Sequence, residues 1–112
     1  MAVTTRQRGD VTILDLKGKI TIGASELAMR EAVHNALNSG TKKLVINMKE
    51  VSTIDSSGIG ELVSAYTSAT NRGAKVRLAC LPDKVQSVLT ITQLLQVFDI
   101  DDTEDQSCAA YQ

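Results

Sequence analysis

The pattern of hydrophobic and polar positions begins with two strand-like segments, residues 3–8 and 11–16. Gly9 and Asp10 separate them, and a two-residue turn of this composition between two such segments is a strong signal for a β-hairpin. The pattern therefore predicts that the first two strands form an antiparallel pair.

Helical and strand-like segments alternate over the middle of the chain. Apolar residues at helical spacing predict one helix over 24–38 and a second from after Ile54 to about Asn71, while 44–48 and 75–80 have the composition of strands. Strand, helix and strand in this succession imply right-handed crossovers between parallel strands.

The last third of the chain predicts three more elements. Pro82 suits the first turn of a third helix, residues 97–100 have a strand-like composition, and Thr103 with Gln106 has the spacing of a capping box at the start of a short final helix. The sequence thus predicts the α/β fold class and one domain over residues 1–112. Its sheet is mixed and mostly parallel, begins with the antiparallel hairpin, and has about four helices packed on it.

The composition excludes several classes of function. Twelve Lys and Arg against 13 Asp and Glu give a formal net charge of −1, so no basic field is available for nucleic acid or an anionic membrane. Aromatic residues make up 3% of the chain, which disfavours aromatic recognition surfaces. No apolar run approaches the ~20 residues that cross a bilayer, and two cysteines are too few for a disulfide framework or a zinc site. We expect a cytoplasmic protein with no direct nucleic acid binding, no membrane insertion, no metal and no cofactor.

The unusual segment is D-S-S-G-I-G-E at 55–61, which follows a strand-like run over 51–54 and opens the second helix. Backbone N–H groups at a helix start favour an Asp or Ser oxygen, so an ordinary N-cap is one interpretation of this segment. Gly58 and Gly60 weigh against a purely structural role, because each costs about 1 kcal/mol inside a helix relative to Ala. A cap and a serine that is modified or contacts a partner both remain open.

The second helix has an apolar stripe and, opposite it, a surface of small and weakly charged residues. The stripe comprises Ile59, Leu62, Val63 and Tyr66, and the opposite surface comprises Ser57, Gly60, Glu61, Ser64, Ala65 and Ser68. A partner protein could approach such a surface closely. A phosphate on Ser56 or Ser57 would add about −1.5 to −2 charge beside Asp55. We therefore expect phosphorylation to repel a partner shaped for the neutral serine.

The D-S-S-G-I-G motif, in its setting between a strand at 44–47, an amphipathic helix and a strand at 76–80, resembles the STAS domain of bacterial anti-sigma factor antagonists. The resemblance covers residues 3–105, and the motif in this context is fairly specific. It implies a STAS-like fold and a role in partner switching.

In that family the serine directly after the Asp is phosphorylated by an anti-sigma factor that is also a serine kinase, and a PP2C-type phosphatase reverses the reaction. By position this serine is Ser56, with Ser57 as the second candidate. The resemblance implies that the unphosphorylated protein binds the anti-sigma factor and so releases a sigma factor. The residues expected to contact the partner are Asp55, Ser56, Ser57, Gly58, Gly60, Glu61, Ser64 and Thr21.

One position departs from the family pattern. Antagonists of this type often carry an acidic residue shortly after the second strand, three positions beyond a glycine, and Thr21 stands there, after Gly18. Because Thr can hydrogen-bond but has no charge, the partner can differ from that of the sporulation-type systems. An adaptor subunit of a stressosome-like signalling complex or of a lipid-transport complex is the alternative.

Enzymatic chemistry has little support in the sequence. No G-x-S-x-G motif surrounds the serines, His34 is the only histidine, and neither glycine-rich nucleotide motif is present. A carrier domain with a prosthetic group on Ser56 is disfavoured, because such carriers are usually all-helical and strongly acidic. The acidic stretch 99–105 lacks the ligand spacing of a calcium loop and is interpreted as a solvated edge and helix cap. We therefore expect a protein that is not an enzyme.

Overall fold

The computed structural model describes residues 2–21, 23–94 and 96–111, without the side chains of 24–26. The elements in these residues are, in chain order, β1 (Ala2–Arg8), β2 (Val11–Ile20), α1 (Ala24–Asn38), β3 (Lys43–Ile54), α2 (Ser56–Asn71), β4 (Lys75–Ala79), α3 (Asp83–Ile91), β5 (Asp99–Asp101) and α4 (Glu104–Ala110). The predicted α/β fold class is confirmed.

The strands form one mixed sheet in the order β1-β2-β3-β4-β5. β1 and β2 are antiparallel, and Gly9 has a φ of 65° in the turn between them, which confirms the predicted hairpin. The other neighbours are parallel. The apolar runs 44–48 and 51–54 belong to one long strand, β3, whose last residue Ile54 pairs with Ile20 at the end of β2. The start of α2 therefore lies just beyond the ends of two neighbouring strands.

Helices cover both faces of the sheet. Because successive side chains of a strand point to opposite faces, Leu44 and Ile46 belong to the main core and Val45 to a smaller one. α1, α2 and α3 pack against the main core, and α4 against the smaller one. The hydroxyl of Tyr111, directly after α4, donates to the carbonyl of Leu44 at 2.8 Å, and burial raises the pKa of Tyr111 to about 12. This contact fixes the end of α4 to the sheet.

Two elements begin elsewhere than predicted. Pro82 is the N-cap of α3 and precedes its first turn. β5 covers Asp99–Asp101 instead of 97–100, because Phe98 turns into the core, where its ring meets the ring of Tyr66 edge-on at 5.8 Å between centroids.

The predicted capping box is present at the start of α4. The backbone N–H of Gln106 donates to the hydroxyl of Thr103 at 3.1 Å, and the backbone N–H of Thr103 donates to the side-chain oxygen of Gln106 at 3.2 Å. α4 therefore begins where the sequence predicts.

The acidic stretch 99–105 is in large part the solvated edge that the sequence predicts, since Asp99, Asp102 and Asp105 are exposed. Two of its carboxylates, those of Asp101 and Glu104, are also tied into the fold by ion pairs. Both carboxylate oxygens of Asp101 accept hydrogen bonds from Arg77, at 2.8 and 3.3 Å. Glu104 pairs with Arg6 of β1 and has a side chain that is 18% exposed. The first contact joins β5 to its neighbour β4, and the second joins α4 to β1 at the opposite edge of the sheet.

Candidate functional site

Asp55 connects the end of β3 to the first turn of α2. Its carboxylate accepts a hydrogen bond from the backbone N–H of Gly58 at 3.0 Å, which makes it the N-cap of the helix. Its own N–H donates to the carbonyl of Ile20 at 3.1 Å. The interpretation of this segment as an N-cap is confirmed, with Asp55 as the capping residue, and Asp55 also ties the helix start to the end of β2.

Gly58 is the point of closest approach between α2 and the strands. A Cβ at this position would lie 2.6 Å from both the carbonyl oxygen of Ile20 and the side chain of Ile54. Gly58 is buried by these neighbours, which corrects its assignment to the partner-facing surface. Gly60 is exposed, and nothing lies within 4 Å of a Cβ added there. The two glycines of the motif therefore have different surroundings.

The two serines of the motif occupy the first two positions of α2. Ser56 is exposed and Ser57 is half-buried. The first turn of the helix contains no acidic residue, and the carboxylate of the capping Asp55 balances part of the partial positive charge of the helix start. Ser56 is thus the more accessible hydroxyl in the motif.

Thr21 lies next to this helix start. It directly follows β2, and the pairing of Ile20 with Ile54 brings it level with Asp55, which directly follows β3. Thr21 is half-buried. The structure therefore brings Thr21 and the serine motif together beyond the carboxyl ends of β2 and β3.

Glu61 is buried against α1, which corrects the prediction that it belongs to the exposed surface. Its side chain is 9% exposed, and its Oε1 accepts hydrogen bonds from Nε of Arg30 at 3.0 Å and from Nη2 of the same side chain. Sequence analysis missed Arg30, because 31 positions separate it from Glu61 and no motif links them. The pair joins the two helices that flank the site.

The exposed face of α2 is narrower than predicted. Ala65 is 5% exposed and belongs to the core. Ser56, Gly60, Ser64 and Thr67 are exposed and follow one another along the helix. The face that α2 offers to solvent at this site is therefore made of small, uncharged residues.

Other candidate chemistry finds no support in the described residues. They include no cluster of three or more His, Cys, Asp or Glu side chains that could hold a metal ion. None of their helices combines the length and apolar character that a membrane span needs. His34 is exposed on α1. The start of α2 remains the candidate site.

Comparison with known proteins shows that the chain matches a protein family. The family model of the STAS domain matches residues 2–107. Two curated proteins, from Thermotoga maritima and Thermotoga neapolitana, bear the name of anti-sigma factor antagonists. Each is 30% identical to this chain over 94 residues, which are 84% of this chain and 83% of the relative.

Solved structures share the fold. A crystal structure of a Thermotoga maritima protein that bears the name of an anti-sigma factor antagonist superimposes with a TM-score of 0.88 at 26% identity, over 96% of this chain and 92% of that one. The phosphorylated form of the Bacillus cell fate determinant SpoIIAA superimposes with a TM-score of 0.76 at 17% identity, over 99% of this chain and 100% of that one. The latter likeness concerns the fold alone.

Proposed function

The chain belongs to the STAS domain family, and we propose that within this family it acts as an anti-sigma factor antagonist whose partner binding is switched off by phosphorylation of Ser56. The names of the Thermotoga relatives support the antagonist role. The observation that carries the proposal is the exposed Ser56 at the start of α2, beside a face of small, uncharged residues.

A phosphate on Ser56 would change both the charge and the shape of this face. It would add about −1.5 to −2 charge, which takes the formal charge of the chain from −1 to roughly −2.5 to −3. The added charge would lie beside the carboxylate of Asp55, where a partner that fits the neutral serine meets both charges. The phosphorylated protein therefore loses the partner through repulsion and steric mismatch.

The contacts of Arg30 favour Ser56 over Ser57 as the switch. Ser57 lies four positions before Glu61, on the same side of α2, and helical side chains lean toward the N-terminus of their helix. Because the guanidinium of Arg30 is bound to Glu61, we infer that it lies on the Ser57 side of α2, where it would partly neutralise a phosphate on Ser57. Ser56 projects about 100° further round the helix, over the exposed face. A phosphate on Ser56 would therefore present its charge to the partner, unlike a phosphate on Ser57.

The partners follow from this role. An anti-sigma factor with serine kinase activity supplies the phosphate from ATP that the kinase itself holds, and a PP2C-type phosphatase removes it. The chain contributes the acceptor hydroxyl and the docking face and performs no reaction of its own. Thr21, level with Asp55, contributes a hydroxyl in place of a charge at the rim of this face.

The phosphorylation test compares Ser56→Ala with its matched control Ser57→Ala. The unmodified protein is used to isolate the kinase-type anti-sigma factor, which is then incubated with ATP and each variant. Intact mass and phosphopeptide mapping should show one phosphate on the wild type and on Ser57→Ala, and none on Ser56→Ala. Normal phosphorylation of Ser56→Ala contradicts the assignment, and recovery of a membrane transport complex in place of a kinase favours the adaptor role.

A further inference from the structure

β1 is an edge strand of the sheet, and in the described part of the chain no strand lies along its outer side. It has seven residues, each paired with β2 in an unbroken register. Natural edge strands are commonly protected by charged side chains, Pro or a bulge. β1 has no Pro and no bulge, and its two charged residues, Arg6 and Arg8, are both paired with carboxylates of their own chain. Its outer side is therefore a regular row of backbone donors and acceptors open to another strand.

The hairpin determines which backbone groups of β1 point outward. Arg8 and Val11 flank the two-residue turn, and residues in that position exchange both N–H···O bonds. Hydrogen-bonded pairs alternate along an antiparallel ladder with pairs that are not hydrogen-bonded. The N–H and C=O groups of Val3, Thr5 and Gln7 therefore point away from β2.

We propose that β1 pairs with β1 of a second copy of this chain, antiparallel, about a two-fold axis at Thr5. In this register Thr5 pairs with Thr5 of the second copy, and Val3 pairs with Gln7. Every outward N–H and C=O group of these three residues then has a partner. An axis at Arg6 would place Val3 opposite Gly9 of the turn and so leave Val3 without a strand partner.

The charges of β1 agree with this register. An axis at Arg6 would place two arginines directly opposite each other, which is destabilising. With the axis at Thr5, Arg6 lies opposite Thr4 of the second copy. Arg6 is already paired on its own chain with Asp15 and Glu104. Arg8, the other cation of β1, is paired with Glu104 and Asp105, so the second copy meets a strand whose cations are neutralised.

The space beside β1 is open on the side of α1. The lining of the groove there includes Val3 and Thr5 of the strand and Ala28, Glu31, Ala32 and Asn35 of the helix. These helical positions lie on one side of α1, because residues three and four apart on a helix are neighbours. The small side chains of Ala28 and Ala32 leave room for side chains of the added strand.

The dimer leaves the site on α2 accessible. α2 packs against β3 and β4, whereas β1 is separated from β3 by β2. Each dimer thus presents two copies of Ser56, and its formation does not depend on the function proposed for that serine.

The test measures mass in solution by sedimentation equilibrium from about 10 µM to about 1 mM protein. The wild type should shift with concentration from 12.0 kDa toward twice that mass. Thr5→Pro removes an outward N–H without removing a bond to β2 and should stay monomeric. The matched control Thr5→Val keeps the N–H and should dimerise as the wild type does.

Hydrogen exchange of the wild type tests the same strand without a substitution. The amides of Val3, Thr5 and Gln7 should become at least about tenfold more protected as the protein concentration rises, while those of Thr4 and Arg6 stay unchanged. A wild type that remains monomeric over the whole range overturns the proposal. A folded Thr5→Pro variant that dimerises as the wild type does also overturns it, because the contact then lies elsewhere.

Discussion

At the scale of single residues, the two glycines near the start of α2 differ in what surrounds them. Gly58 lets the first turn touch the end of β2, since a Cβ there would meet the Ile20 carbonyl at 2.6 Å. Gly60 has open space around it and carries the ordinary cost of a helical glycine. One glycine is thus required by the packing of α2 and the other is not.

Alanine substitutions separate these two roles. Gly58→Ala forces the strands and the helix apart and should lower the free energy of unfolding by about 1–3 kcal/mol. Gly60→Ala is the matched control and should raise it by up to about 1 kcal/mol through helix propensity. Urea denaturation of both variants measures the difference. Equal destabilisation by the two substitutions would mean that Gly58 is not the tight contact.

The sequence could identify the motif residues but not all of their surroundings. The cost of Gly58 and Gly60 was visible from helix propensity, and an N-cap was visible from the Asp and Ser residues before the helix, although the sequence did not show which of them caps it. The burial of Glu61 was not visible, because it depends on Arg30 of a different helix. From the sequence alone, the carboxylate of Glu61 is interpreted as exposed, because the sequence does not show that α1 packs beside it.

The Arg30–Glu61 pair should matter more for stability than a surface ion pair, because the Glu61 side chain is only 9% exposed. Arg30→Met removes the donor from this carboxylate and should lower the free energy of unfolding by about 1–3 kcal/mol. The double variant with Glu61→Met removes the buried charge as well and should recover part of that loss. A double-mutant cycle by urea denaturation measures the coupling, and strictly additive losses would contradict it.

At the scale of elements, α4 shows what a local pattern predicts and what it does not. The capping box located the start of the helix, since Thr103 and Gln106 interact with each other. The pattern could not show that α4 covers the second face of the sheet, because the contacts to Arg6 and Leu44 join distant parts of the chain. The burial of Tyr111 and the ion pair of Glu104 depend on strands that are distant in the sequence, so the local pattern could not predict them.

The ion pair between Asp101 of β5 and Arg77 of β4 should make the free energy of unfolding decrease at acid pH. Hydrogen bonds from Arg77, and from Ser107, hold the pKa of Asp101 below its ordinary value of 3.8, although burial opposes this. Because the folded state binds this proton less readily than the unfolded chain, the stabilisation is complete above that value and is lost as the pH falls below it.

Urea denaturation at a series of pH values tests this sensitivity. Asp101→Asn should flatten the decline of stability below about pH 4 relative to the wild type. Glu50→Gln is the control, since the Glu50–Lys17 pair is 3.7 Å apart with both side chains more than half exposed and contributes little. An unchanged slope in Asp101→Asn would show that this ion pair does not contribute to acid unfolding.

At the scale of the whole molecule, the fold followed from general rules of chain connection. A hairpin, short connections and right-handed crossovers leave few arrangements for this order of elements, and the sheet β1-β2-β3-β4-β5 is one of them. The near-neutral charge of −1 belongs to this scale too. On a molecule with so little net charge, a switch can act through total charge or through charge at one place, and the two mechanisms give different results.

Two serine-to-aspartate variants distinguish these mechanisms. Ser56→Asp and Ser87→Asp make the same change in net charge, but Ser87 is exposed on α3, a different helix from the proposed docking face. If charge at the start of α2 is the switch, Ser56→Asp should weaken binding of the anti-sigma factor by about tenfold or more and Ser87→Asp by less than about twofold. Titration calorimetry measures both affinities, and the loss in Ser56→Asp should shrink at about 0.5 M salt, where exposed charges are screened. Equal losses in the two variants would assign the effect to net charge, and no loss in either would mean that charge at Ser56 does not control binding.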